Sequence, residues 1–162
     1  MTGFRMKNLE EQAVELLKQQ RLTIATAESC TGGAVASTLI NVSGASDVFN
    51  EGFVTYSNEA KHKRLGVRIR TLKEYGAVSN ATAFEMAKGV CEATGAEVGV
   101  SVTGIAGPDG GTTEKPVGLV YVGCCVNRKS KVVENYFSGS RSEIRQQGVE
   151  AALKLLIECL GA

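Results

Sequence analysis

The feature that most constrains this chain is an alternation of apolar patterns, in which helical spacing gives way repeatedly to short β-branched or apolar runs bounded by turn residues. Residues 8 to 20 place Leu9, Ala13, Leu16 and Leu17 at helical spacing, and residues 21 to 27 read as a short buried strand. Residues 31 to 41 return to a helix through Ala34, Val35, Thr38 and Leu39. After the turn-rich VSGAS, the segment FNEGFVTYS reads as a strand and NEAKHKRLG as a helix stopped by Gly66. Thr82 and Glu85 form a capping-box pattern for a helix running to about Thr94, and EVGVSVT has the β-branched character of an interior strand. The long loop TGIAGPDGGTTEKP opens into GLVYVGCCV and KVVENYFSG, a hairpin across NRKS. Ser140 and Glu143 make another capping box, and Ile144, Gly148, Ala151, Ala152, Leu155, Leu156 and Cys159 give the last helix one apolar face.

The resulting order, α-β-α-β-α-α-β-β-β-α, predicts an α/β fold: a three-layer α/β/α sandwich around a mixed central sheet. Its 162 residues suit one compact domain over residues 1–162, and no repeat or linker divides them. In such sheets ligands bind beyond the carboxyl ends of the strands, where AESCTGG (residues 27–33) and TGIAGPDGG both fall. A net charge of +1 provides no sequence-wide basic field, which argues against nucleic acid as the main partner. No apolar run approaches the ~18 residues of a membrane span, and MTGFRMKNLEEQ lacks the apolar core of a secretory signal. The expected location is the cytoplasm, with no membrane partner. Five cysteines with no C-x-x-C, two of them adjacent at Cys124 and Cys125, read as buried thiols. With His62 the only histidine, neither a metal site nor a cofactor is expected.

Ser29 sits where a strand hands over to a helix. Its hydroxyl can be presented outward there, with main-chain N–H groups of Cys30, Thr31, Gly32 and Gly33 converging as an oxyanion hole. The alternative is that Ser29 or Thr31 caps the helix. Lys61 in TYSNEAKHK is a candidate base if a dry site or the neighbouring Lys63 and Arg64 depress its pKa, and Tyr56 could bridge hydroxyl and amine. A solvated lysine-rich helix face accounts for the same residues. Ser57 suits an N-cap better than a nucleophile, and Cys30 ranks below Ser29. Thr103 and Gly104, directly after a buried strand, are candidates for substrate binding. Arg141 and Arg145 share one face of a helix start, where the dipole disfavours cations unless an anion such as phosphate, or Glu143, offsets them.

AESCTGG, TYSNEAK, TGIAGPDGGTTEKPVG and GSRSEIR, in this order, resemble the nicotinamide-mononucleotide deamidase family, also called the CinA C-terminal domain family. The resemblance implies a cytoplasmic, metal-independent amidohydrolase, usually oligomeric, that converts nicotinamide mononucleotide to nicotinate mononucleotide and ammonia. By position it makes Ser29 the nucleophile, Lys61 its base and Tyr56 part of the proton path. The main chain of residues 30 to 33 would hold the oxyanion, Thr103 and Gly104 would line the nucleotide pocket, and Arg141 or Arg145 would meet the phosphate. Many relatives carry a larger N-terminal domain before this one, and its activities are not carried over. A non-catalytic nucleotide-binding module and a competence-related interaction protein are the alternatives.

Overall fold

The computed structural model describes residues 5–161; the ends of the domain expected over 1–162, and the first residues of MTGFRMKNLEEQ, lie outside them. Its elements are α1 (Leu9–Gln20), β1 (Ile24–Glu28), α2 (Ala34–Ile40), a 3-10 turn (Ala45–Asp47), β2 (Phe49–Val54), α3 (Asn58–Leu65), α4 (Ile69–Tyr75), α5 (Asn80–Thr94), β3 (Val98–Gly104), β4 (Leu119–Val126), β5 (Lys129–Tyr136) and α6 (Arg141–Cys159). One five-stranded sheet runs β2-β1-β3-β4-β5. The first three strands in that order are parallel, and β4 and β5 join antiparallel. This is the mixed α/β/α sandwich expected.

Each face of the sheet is covered for a different physical reason. Helices α1, α2 and α6 bury a large apolar cluster that includes Val14, Leu17, Val35, Leu39, Ile144 and Leu156 over Ile24, Val100, Val102 and Val122. On the other face α5 packs on a nearly smooth surface: a Cβ at Gly99 would meet the Ala87 carbonyl oxygen at 2.3 Å. Ser101 Oγ donates to the Ala83 carbonyl at 2.7 Å, so hydrogen bonding replaces side-chain interdigitation there. A smaller cluster of Ala25, Ala27, Leu65, Val67, Met86 and Val90 completes this layer.

Several boundaries depart from expectation. The first strand, expected at residues 21 to 27, occupies Ile24–Glu28, because Arg21 takes a left-handed conformation and closes α1. Helix α4 has no counterpart in the sequence pattern: it is seven residues long, has no side-chain cap and buries only Thr71. Ser79, not Thr82, caps α5, and Glu85 instead accepts from the Arg68 N–H and Nε where the chain enters α4. The hairpin turns at Asn127 and Arg128 alone, both with positive φ, so Lys129 and Ser130 belong to β5. Gly66 ends α3 and the Ser140 capping box opens α6 as expected. Among the described residues no helix is long and apolar enough to cross a membrane.

Candidate active site

The parallel pairing of β1 with β3 brings the end of β1, the turn at residues 29 to 33 and the start of the β3–β4 loop to one edge of the sheet. Ser29 stays hydrogen-bonded to the sheet through its N–H to the Val102 carbonyl at 2.9 Å. Successive strand side chains alternate in direction. Glu28 therefore turns to the α2 side and Ser29 away from it, towards α3.

Glu28, 1% exposed, resolves the question of capping. The N-cap position of α2 is Gly33, which has no side chain to offer. The Glu28 carboxylate takes the role instead, accepting from Val35 N–H at 2.8 Å, Ala36 N–H at 3.1 Å and the Thr31 hydroxyl at 2.6 Å. A carboxylate at that position also complements the helix dipole. Neither the Ser29 hydroxyl nor that of Thr31 caps the helix, and Thr31 points its hydroxyl at Glu28. Sequence reasoning missed Glu28, since a helix cap is ordinarily a hydroxyl beside the helix and not the last residue of the strand before it.

Lys61 reaches Ser29 from α3, whose start is fixed by Ser57 Oγ accepting from Ala60 N–H at 3.0 Å. The amine lies 3.0 Å from Ser29 Oγ, 2.7 Å from the Thr55 carbonyl and 3.4 Å from that of Tyr56. Lys61 is 1% exposed and Ser29 8%. No carboxylate pairs with this amine among the described residues, and burial lowers its pKa from 10.5 to about 8. A neutral amine has two N–H groups and one lone pair. With the two carbonyls taking the N–H groups, the lone pair is left for the Ser29 hydroxyl.

The competing nucleophile and base are arranged differently. Burial pushes the Cys30 thiol up to about 11, which leaves it protonated at neutral pH. The His62 Nδ1 is 2.8 Å from the Val67 carbonyl and makes no contact with Ser29. Of the main-chain donors after Ser29, Gly32 N–H is taken by the Ser29 carbonyl at 3.0 Å, so that donor is not free. Cys30, Thr31 and Gly33 N–H groups have no main-chain acceptor among the described residues.

Both arginines come to this edge, in separate roles. Arg145 donates from Nε to the Cys30 carbonyl at 2.9 Å and from Nη2 to the Thr31 carbonyl at 3.1 Å, stapling the turn that carries Ser29. Arg141 donates to the Gly107 carbonyl at 2.7 Å and to the Tyr56 hydroxyl at 3.1 Å. Glu143, the suggested neutralising group, turns back to the Ser140 N–H instead. Neither guanidinium forms an ion pair among the described residues.

A profile of the CinA C-terminal domain matches residues 6–160. The chain belongs to that family. It is 53% identical over 158 residues to a CinA-like protein of Kosmotoga olearia, covering 98% of this chain and 38% of that protein. It is 58% identical over 137 residues to a putative competence-damage inducible protein of Clostridium perfringens, covering 85% and 33%. The chain thus spans about a third of the length of these relatives. Among solved structures, the competence/damage-inducible protein CihA of Agrobacterium tumefaciens superposes with a TM-score of 0.90 at 43% identity, with all of both chains covered. A CinA superfamily protein of Klebsiella pneumoniae gives 0.90 at 32% identity, over 95% of this chain and 98% of that one.

In this CinA domain three of the expected site residues are engaged otherwise than the sequence suggested. The phenol of Tyr56, a residue 64% exposed, meets Arg141 and does not bridge Ser29 and Lys61; only the main-chain carbonyl of Tyr56 faces the amine. The Thr103 hydroxyl is buried and donates to the Ala77 carbonyl at 2.9 Å, tying β3 to the loop before α5. Gly104 is packed against β4, where a Cβ would come within 2.7 Å of Val120. Three surface depressions, around Leu155, around Cys91 and around Phe84, are lined by neither Ser29 nor Lys61.

Proposed function

We propose that this CinA domain is an amidohydrolase that deamidates nicotinamide mononucleotide to nicotinate mononucleotide and ammonia through a Ser29–Lys61 acyl-enzyme. The observation that carries the reading is the 3.0 Å contact between Ser29 Oγ and a buried lysine amine whose pKa lies near 8. Neutral Lys61 accepts the Ser29 proton as Oγ attacks the carboxamide carbon. The oxygen that gains charge meets the free N–H groups at Cys30, Thr31 and Gly33, and loss of one such donor costs about 3 kcal/mol of barrier. When the C–N bond breaks, the lysine returns its proton to the leaving nitrogen, releasing ammonia. Water then adds to the ester, its proton passing to Lys61 and on to Ser29 as the C–O bond breaks.

Arg141 and Arg145 support a phosphorylated substrate, because both are cations held only by neutral oxygens. Arg145 is committed to the nucleophile turn. Arg141 is the better phosphate ligand: a charged oxygen outcompetes a phenol and a carbonyl for a guanidinium. No step requires a metal or a cofactor. Exposed Ile40, Val54 and Tyr56 suit contact with a second copy of the chain, which size-exclusion chromatography with light scattering would test.

The deciding experiment is incubation of the protein with nicotinamide mononucleotide, with and without a chelator, while ammonia is followed. Ammonia release that survives chelation and is lost in Ser29→Ala supports the reading; a Ser29→Ala variant of undiminished rate rules it out. The names of the relatives, competence-damage inducible proteins, favour a second reading, a role connected with competence. Tight, salt-sensitive DNA binding without ammonia release would favour it.

A further inference from the structure

Arg145 and Gly148, neighbours on one face of α6, both meet the turn that carries Ser29. A Cβ at Gly148 would lie 3.5 Å from the Thr31 methyl, and a Cβ at Gly32 would lie 3.5 Å from Arg145 Nη2. The guanidinium therefore sits directly against the main chain of the turn, where Gly32 takes a φ of 60°. Its Nε and Nη2 reach two successive carbonyls, that of Cys30 at 2.9 Å and that of Thr31 at 3.1 Å. Such a pair of contacts uses the planar fork of an arginine and is beyond the single ammonium of a lysine.

Two chains of hydrogen bonds start from this cation. In a trans peptide unit the carbonyl and the N–H point in opposite directions, so a donor on the oxygen polarises the N–H behind it. The first chain is short: Arg145 Nε bonds the Cys30 carbonyl, and the N–H of that unit belongs to Thr31. The second passes through one unit more. Arg145 Nη2 bonds the Thr31 carbonyl, the N–H of that unit donates from Gly32 to the Ser29 carbonyl at 3.0 Å, and the N–H of the Ser29 unit belongs to Cys30. Both chains end on N–H groups with no main-chain acceptor among the described residues. The Gly33 N–H differs, because it shares its unit with the Gly32 carbonyl, to which Arg145 makes no hydrogen bond.

We propose that Arg145 is a positioning residue for the oxyanion, a cation that acts from behind the nucleophile turn by orienting and polarising the Cys30 and Thr31 N–H groups. The proposal rests on the amidohydrolase reading. Charge developing on the carboxamide oxygen meets the two donors on one side, while the guanidinium holds the matching carbonyls on the other. The same contacts separate the two arginines of α6. The edge of Arg145 that could take two phosphate oxygens is occupied by carbonyls of the turn, whereas Arg141 reaches a carbonyl and a phenol on different segments.

The test compares Arg145→Lys, which keeps the charge and loses the fork, with the wild type. Turnover of nicotinamide mononucleotide and of its dephosphorylated nucleoside should fall by the same factor, about tenfold, because the donors are weakened and not removed. Both KM values should stay within about twofold. In NMR spectra of the substrate-free protein, the Cys30, Thr31 and Gly32 amide protons should move upfield while that of Gly33 holds its position. Arg145→Gln, which keeps a donor without the charge, should move the same three resonances and serves if the lysine variant does not fold. A KM raised only for the phosphorylated substrate would make Arg145 a phosphate ligand and overturn the proposal. Displacement of all four amide protons together would reduce it to a structural staple, and undiminished turnover would leave it no role at the oxyanion. The spectra need no substrate, so they decide the relay even if the wild type releases no ammonia, an outcome that sinks the amidohydrolase reading alone. Ammonia release by the wild type with all four resonances unmoved in the variant sinks the relay and leaves the dyad standing.

Discussion

The two helices that begin at the edge of the sheet near Ser29, α2 and α6, close their N-termini by opposite means. Helix α6 does it locally: Ser140 Oγ accepts from the Glu143 N–H and the Glu143 carboxylate returns to the Ser140 N–H. Helix α2 borrows a carboxylate from the preceding strand, so that Glu28 satisfies Val35 and Ala36 across the turn containing Ser29. A local cap is replaceable and silent. A borrowed one binds the helix, the turn and the strand into a unit, and leaves the hydroxyl in that turn free for Lys61. The difference shows that a serine at a strand-to-helix junction keeps its hydroxyl available for another partner when a different residue supplies the cap.

The comparison can be tested from its most demanding side downward. Lys61→Met should lower ammonia release by ~10^3-fold or more, since an alkyl chain cannot accept the Ser29 proton. A smaller loss in a steady-state ammonia assay would mean that another base serves Ser29. Next in size, Arg141→Ala should raise KM for nicotinamide mononucleotide about tenfold or more while leaving turnover of the dephosphorylated nucleoside nearly unchanged. Equal effects on both substrates would assign Arg141 to the loop and not to phosphate.

Glu28→Gln should separate the two helix starts most directly. It removes the charge and one acceptor from a buried site, with an expected cost of about 1–3 kcal/mol in chemical denaturation. Ammonia release should fall by about tenfold, because the turn bearing Ser29 loses its anchor. Ser140→Ala should cost about 1 kcal/mol and leave turnover within about twofold. If both variants affected rate and stability in the same proportion, the distinction between a functional and a silent cap would fail.

pH offers the gentlest probe. Lys61 ionises at about 8 in the folded protein, against 10.5 ordinarily. The value of kcat/KM should therefore climb with pH and level off above about 8. Stability follows a related course. Below pH 8 both folded and unfolded chains hold the proton, and the folded chain bears the full cost of a buried ammonium; between 8 and 10.5 the unfolded chain binds more protons, so stability rises with pH. Relative to Lys61→Met, the wild type should gain roughly 3 kcal/mol across that window in urea titrations. A flat difference would mean that the amine is not buried in a neutral form.

Much of the architecture was legible because periodicity changes cleanly along the chain, and the order of elements then leaves few topologies. Helix α4 escaped because seven residues with one buried side chain carry almost no periodic signal. At the site, Ser29 stood out at the end of a strand and Lys61 in the helix that follows the next one, and the structure brings them into contact. Arg145 was visible as a cation, but its bond to the Cys30 carbonyl depends on how α6 docks, which no local pattern encodes. Tyr56, read as the end of a strand, falls in the short link between β2 and α3. There its main chain, not its phenol, faces the amine, a choice made by the side chain's reach towards α6.

Because the acceptor for Val35 and Ala36 belongs to β1, the first turn of α2 cannot fray on its own. Those two amides can exchange with solvent only when the end of a central strand loosens as well. A helix of seven residues, too short to persist in isolation, thereby inherits the lifetime of the sheet.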